Sequence, residues 1–228
     1  MGSDGPHRMA GPDVLCQGKF MMRILGRSTS INVRKVLWAA AEAGLSFEHE
    51  NDWALTKDTQ GPEFRALNPN GLVPVLVCAE GVLWESNTIC RYLIAKSGRH
   101  DLLSDSPFAR AAVEKWMDWQ AADLNCAWQA AFLGLVRKNP AFRHDQVAIA
   151  RSVERWNDLM LILERHLAET DGFVIGDTFT LADVVVGLSL QRWLLTPIAR
   201  PSTPALIAYR QRLQSRPAVQ AWIAADVP

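Results

Sequence analysis

Sulfur, tyrosine and excess charge are all scarce in this chain of 228 residues. The four cysteines, Cys16, Cys78, Cys90 and Cys126, are scattered. They form no C-x-x-C pair, no metal-ligand cluster and none of the dense framework that staples small secreted domains, which points to a reduced, cytoplasmic protein. Lysine plus arginine equals aspartate plus glutamate, 24 against 24. There is thus no basic excess to attract phosphate backbones or an anionic membrane surface, which argues against nucleic acid as a partner. No apolar run nears the roughly 20 residues that span a bilayer, and residues 1–20 lack the continuous apolar stretch of a signal peptide. The five histidines stand at no metal spacing and no G-x-x-x-x-G-K loop occurs, so neither a metal nor a nucleotide is expected.

Residues 1–20 carry Gly and Pro without periodicity and read as a flexible leader, in part vector-derived, with Met21 or Met22 as the natural start. From there strand-like and helix-like segments alternate. Residues 23–26 suit a short strand, 28–32 a polar turn, and Val33, Val36, Leu37, Ala40 and Ala41 fall at helical spacing up to a stop at Gly44. A second strand is expected over 47–51, then a polar loop and a short helical piece ending near Leu67. Residues 73–78 and 82–84, separated by Ala79-Glu80-Gly81, suit an antiparallel hairpin. Ser86 opens a helix with Ile89, Cys90, Leu93 and Ile94 on its apolar face. The order is βαβ, then ββα.

After His100 no strand-like alternation recurs. Ser106-Pro107 is a helix entrance, and Val113, Met117, Leu124, Trp128, Ala131 and Leu135 continue one helical stripe to Lys138. A second long helix covers 145–169. Thr180-Leu181-Ala182-Asp183 has the form of a capping box and opens a helix apolar nearly all round, the expected centre of an all-helical unit. Asp183 is therefore assigned to structure, not chemistry. The expected organisation is a leader (1–20), a βαβββα domain (21–98), a linker (99–106) and an all-helical domain (107–228).

The informative stretch runs from LNPNGLVPVL to LWESNTICRYL, residues 67–93. Pro74 follows Val73 where a strand begins, and proline has no amide hydrogen for a ladder. A thioredoxin-like fold places a cis-proline here, which would leave the Val73 main chain to pair with an extended peptide. In such folds the reactive dithiol opens the first helix. Here that place holds Ser30-Ile31-Asn32-Val33, so a thiol–disulfide mechanism fails for want of sulfur. What remains are hydroxyl and amide groups at a helix N-terminus, where the dipole favours an anion. Glu85 and Ser86, opening the next helix, suit an ammonium and a carboxylate respectively. Together these describe a site for a peptide with a free amino-acid end, its backbone along Val73 and a thiolate near Ser30 or Asn32.

From Met22 onward the chain resembles the soluble glutathione transferases, carried by LNPNGLVPVL, LWESNTICRYL, FTLADV at 179–184 and RPAVQAW at 216–222. It looks most similar to bacterial theta-like enzymes that use serine. The resemblance implies glutathione as co-substrate, the main chain of Val73 at Pro74 against its cysteinyl portion, Glu85 and Ser86 on its γ-glutamyl end, and Ser30 on its sulfur, with Asn32 as rival or co-donor. Tyrosine as activator is ruled out, because Tyr92 and Tyr209 lie far from the first strand. Trp53 and Lys57 are expected at the glycine carboxylate, and Trp116, Trp119, Asp123 and Trp193 at a hydrophobic electrophile between the domains. The family also implies a homodimer. A dehalogenase or isomerase of the same chemistry, or a non-catalytic interaction module, are the alternatives. Leu72, before Val73, departs from the polar residue often found there.

Overall fold

A computed structural model describes residues 21–219. The leader and the end of the RPAVQAW motif lie outside the described residues. Four strands, β1 (Met22–Leu25), β2 (Phe47–Glu50), β3 (Val75–Cys78) and β4 (Gly81–Trp84), form one sheet in the order β2-β1-β3-β4. β1 and β2 run parallel, as a crossover through helix α1 (Ile31–Glu42) requires, whereas β1–β3 and β3–β4 are antiparallel. A short α2 (Pro62–Arg65) precedes β3, and α3 (Ser86–Ser97) follows β4. The expected βαβββα order is the observed thioredoxin-like one.

The two-residue period of the strands divides the core. Ile24 and Leu76, opposite each other in register, join the large core with α1 and α3. Leu25 and Val75, one residue along, face the other way and pack with Trp53 and Phe64 of α2. Burying Phe64 completely contributes about 1.5–3 kcal/mol to that smaller layer. Gly26 ends β1 at φ 139°, and a Cβ there would stand 2.7 Å from that of Val73. Only glycine lets the Val73 loop close against the end of β1.

The second half is helical: α4 (Pro107–Trp119), a π-helical turn (Gln120–Leu124), α5 (Asn125–Ala127), α6 (Gln129–Leu135), α7 (Gln146–Thr170), α8 (Leu181–Leu195) and α9 (Pro204–Gln214), with a 3-10 turn at Pro217–Val219. The single helix expected from 107 to 138 is thus broken. The wider turn buries Gln120 completely, and its amide reaches Lys35 of α1 and Asn125. Every residue of α8 from Leu181 to Trp193 is buried, as its apolar sequence requires. α8 packs on α1, and a Cβ on Gly187 would meet Leu213 at 2.6 Å and Trp38 at 3.5 Å. Its entrance is the expected capping box. Asp183 accepts from Val174 N–H (2.9 Å), Thr180 N–H (2.7 Å), the Thr180 hydroxyl (3.1 Å) and the Tyr209 hydroxyl (2.8 Å). Burial raises its carboxyl to about 6 against those four donors.

Residues 99–106 are no slack tether. Leu102 and Leu103 are buried, the Leu102 carbonyl accepts from Leu181 N–H at 2.9 Å, and Arg99 donates to the Glu42 carbonyl at 2.5 Å. Among the described residues no helix is long and apolar enough to cross a membrane, and no group of His, Cys, Asp and Glu could hold a metal ion.

Candidate active site

The Val73-Pro74 bond is cis and lies just ahead of β3. Among the described residues the Val73 main chain makes no backbone hydrogen bond and stands outside the β1–β3 register. The loop before it is held by Asn68, whose amide donates to the Leu72 carbonyl at 2.6 Å and whose oxygen accepts from Asn70 N–H at 3.1 Å. Asn32, Asn68, Leu72, Val73, Pro74, Glu85 and Ser86 line one narrow cleft of about 50 Å³. Five of the expected site residues therefore converge, from three different elements. Glu85, between β4 and α3, has φ 73° and ψ 111°, a conformation that costs a non-glycine residue about 1–3 kcal/mol and is typical of functional turns. Ser86, buried, begins α3 directly after it.

Ser30 is the N-cap of α1, yet its hydroxyl makes no capping bond. An N-cap serine ordinarily uses that oxygen on the second or third N–H of the helix, so here it stays available. Its loop is fixed by main-chain bonds: Ser30 N–H to the Arg27 carbonyl at 3.0 Å, and Ser28 N–H to Asn51 at 2.8 Å. Asn32, half-buried, keeps its amide oxygen buried without an acceptor's partner.

The remaining expected residues are not brought to this cleft. Trp53 is buried, donates its indole N–H to Glu50 at 2.9 Å, and with Lys57 lines a separate groove of about 410 Å³ beside α2. Trp116 and Trp119 meet edge to face, 5.2 Å apart, in a groove with Lys115 and Ile162. Asp123 faces Arg155 at 3.8 Å in another depression. Trp193 is fully buried, with its indole N–H on Asn157 at 2.9 Å. Helical spacing predicts Trp116, Trp119 and Asp123 on one continuous helix, but the π-helical turn at Gln120–Leu124 carries Asp123 to a different depression from the two tryptophans.

Other side chains approach the Ser30 loop. Arg137, after α6, donates to the Thr29 carbonyl at 3.0 Å. Arg192 of α8 is buried with its guanidinium 4.1 Å from the ring centre of Phe132 and 4.5 Å from that of Trp128. Arg34 of α1 is buried one turn beyond Ser30, whose carbonyl accepts its N–H. Burial and then Arg137 lower Arg34 to about 10; burial and then Arg27 lower Arg137; burial, Arg34 and Arg137 lower Arg192 strongly. Beneath them Lys35, fully buried, donates to Gln120 at 2.5 Å, and burial pushes its ammonium down to about 7. The sequence reading missed this cationic wall. Its one visible sign was Arg192, the single cation in a mostly apolar helix.

A thioredoxin-like sheet with an open main-chain edge, joined to a helical half, defines a glutathione-transferase-like architecture, and the sequence comparisons agree. Residues 29–96 match the family model "Glutathione S-transferase, N-terminal domain" and residues 141–226 the model "Glutathione S-transferase, C-terminal domain". Glutathione S-transferase GstB of Escherichia coli is 38% identical over 205 residues, 88% of this chain and 96% of that protein. A theta class glutathione S-transferase from Xanthomonas axonopodis pv. citri, solved with glutathione bound, superposes with a TM-score of 0.84 at 35% identity, covering 92% of this chain and all of that one. Elongation factor 1-gamma 3 of Oryza sativa is 26% identical over 83% of this chain, which spans 49% of that protein. The chain belongs to the glutathione S-transferase family.

Proposed function

We propose that this protein activates the thiol of glutathione as a thiolate and transfers it to an electrophile, with Ser30 donating the activating hydrogen bond. The observation that carries this reading is the convergence of Asn32, Val73, Pro74, Glu85 and Ser86 on one cleft, with Ser30, two residues before Asn32, keeping a hydroxyl that makes no capping bond. The relatives in which glutathione is bound or transferred support it. In this reading Val73 pairs its main chain with the cysteinyl portion, Ser86 takes the α-carboxylate and Glu85 the ammonium. Asn32, at the cleft wall, orients the peptide. Lys57 reaches the glycine carboxylate from the neighbouring groove.

The energetic demand is modest. A free thiol has a pKa near 8.5, and lowering it by about two units needs roughly 2.7 kcal/mol of preference for the thiolate. One hydrogen bond to a charged group contributes about 1.5–3 kcal/mol, and the N-terminus of α1 adds to it. No protein base is required; the rest is proximity. The electrophile is hydrophobic or halogenated, the active form is a homodimer in the cytoplasm, and a second copy would cover exposed apolar groups such as Leu72 and Phe108, 64% and 88% exposed.

Calorimetry with glutathione and the ultraviolet absorbance of the bound thiolate at neutral pH test the reading. Binding with a thiolate that disappears in Ser30→Ala is expected; no binding at millimolar glutathione would sink it. The similarity to an elongation factor subunit favours one other reading, a non-catalytic interaction module. That module would bind glutathione without forming thiolate, or not bind it at all.

A further inference from the structure

Arg137 donates to the Thr29 carbonyl of the Ser30 loop, Arg137 and Arg192 both lie over the Phe132 ring, at 5.4 and 4.1 Å, and the Arg27 carbonyl accepts the Ser30 N–H; neighbouring guanidinium groups help to lower the basicity of Arg34, Arg137 and Arg192. Like charges gathered in a partly desolvated place repel, and proteins keep such an arrangement where an anion completes it. Among the described residues no carboxylate pairs with Arg27, Arg137 or Arg192. The Arg137 side chain bonds the Thr29 carbonyl and lies 5.4 Å from the ring of Phe132, and Arg192 stacks on Phe132 and Trp128. Arg192 is 3% exposed and its Nε–H has no acceptor; the buried Nε–H of Arg27 has none either. The aromatic faces partly compensate the Arg192 charge, yet they satisfy no N–H. Half-buried Trp128, with Phe132 buried behind it, lies beside these donors, which suits a molecule that is apolar at one end and anionic at the other.

Resting on the transferase reading above, we propose that the electrophile taken by this site carries its own negative charge, a carboxylate or sulfonate held by Arg137 and Arg27 in front of the buried Arg192, with its apolar part on Trp128. The chemistry explains the use. In water a thiolate and an anionic electrophile repel each other, so guanidinium groups beside the sulfur loop help most with such a substrate. Guanidinium also matches a planar carboxylate with paired donors. In the transfer, a sulfur lone pair of the thiolate forms the S–C bond and the halide leaves with its bonding pair. The thiol proton has already gone to solvent, and nothing is oxidised or reduced.

Two arms separate this proposal from the one it rests on. In the first, without glutathione, 3,5-dinitrobenzoate and its uncharged isostere 3,5-dinitrobenzamide are titrated into the full chain by calorimetry. The benzoate should bind about tenfold tighter, and raising salt from about 25 to about 300 mM should weaken the benzoate alone. In the second, 4-chloro-3,5-dinitrobenzoate and the corresponding amide are turned over with saturating glutathione, each rate divided by its uncatalysed rate. The acid should again lead by about tenfold, and Arg137→Gln, at an exposed edge, should cut that lead to about threefold. Equal binding and equal normalised rates for acid and amide would overturn the anion site even in an active transferase. Charge-selective binding with no glutathione binding would uphold the anion site and overturn the transferase reading.

Discussion

The two walls of the site are built on opposite principles. In the proposed function the sheet-side wall takes a peptide through main chain, hydroxyl and one carboxylate at Val73, Ser86, Ser30 and Glu85, drawn mostly from contiguous sequence. The helix-side wall is made of guanidinium and aromatic groups, Arg27, Arg137, Arg192, Trp128 and Phe132, drawn from positions spread over most of the chain. The first wall is short-range and carries a single carboxylate; the second is long-range and cationic. A common co-substrate needs the same hydrogen bonds every time, and backbone geometry supplies these. A variable second substrate is selected by whichever side chains the helices bring to it.

If the walls depend on one scaffold, the largest effect comes from cutting what lies beneath both. Asp183→Ala removes the acceptor of four buried donors and should destabilise the fold by about 3–5 kcal/mol, read as a lower urea midpoint. Loss of the sheet-side wall and the helix-side wall in one transition is expected. Two separate transitions would show that the two walls rest on independent scaffolds.

Lys35 joins the two halves through Gln120, and its charge can be read by pH. Its ammonium titrates near 7 in the folded state against an ordinary value of 10.5. Between these values the unfolded chain binds the proton and the folded chain does not, so stability rises with pH through that window, by on the order of 1 kcal/mol per unit at most. Below pH 7 both states are protonated and the full cost of the buried charge is present. Urea unfolding of wild type and Lys35→Met from pH 6 to 9 should therefore differ in slope, the wild type gaining with pH and the variant staying flat. A flat wild type would remove Lys35 from the account.

Effects confined to the sheet-side wall are smaller. Ser30→Ala should raise the pKa of bound glutathione by one to two units, about 1.5–3 kcal/mol, with the fold unchanged. Asn32→Ala should shift that pKa less and weaken binding instead. Ultraviolet titration distinguishes them, and equal pKa shifts in both variants would end the division of labour proposed for the two residues. Ser86→Ala should weaken glutathione binding by about 1.5 kcal/mol and leave the thiol pKa in place, measured by calorimetry.

Much of the sheet-side wall was legible because its physics is local. Proline at Pro74 announces a missing ladder donor in one residue, Ser30 and Ser86 stand at helix starts that periodicity locates, and Thr180 with Asp183 spells a capping box four residues long. The electrophile residues read from the same sequence scattered for an equally physical reason. The spacing predicts Trp116, Trp119 and Asp123 as neighbours on one uninterrupted helix, but the π-helical turn at Gln120–Leu124 changes the phase, so Asp123 opens on a different surface groove from the two tryptophans. Trp193, read as reaching the cleft, is fully buried because α8 is covered on all sides.

By itself the sequence determined the order of elements, the thioredoxin-like sheet with its open edge at Val73, the helix starts that bear Ser30 and Ser86, and membership of a glutathione-using family. Those follow from periodicity, capping and the missing proline amide, all of which act within a few residues. Only the tertiary structure decided that Arg27, Arg34, Arg137 and Arg192 meet. A net charge of zero over 228 residues conceals four cations in one place, because electrostatic character at a site depends on distance in space, which chain packing sets.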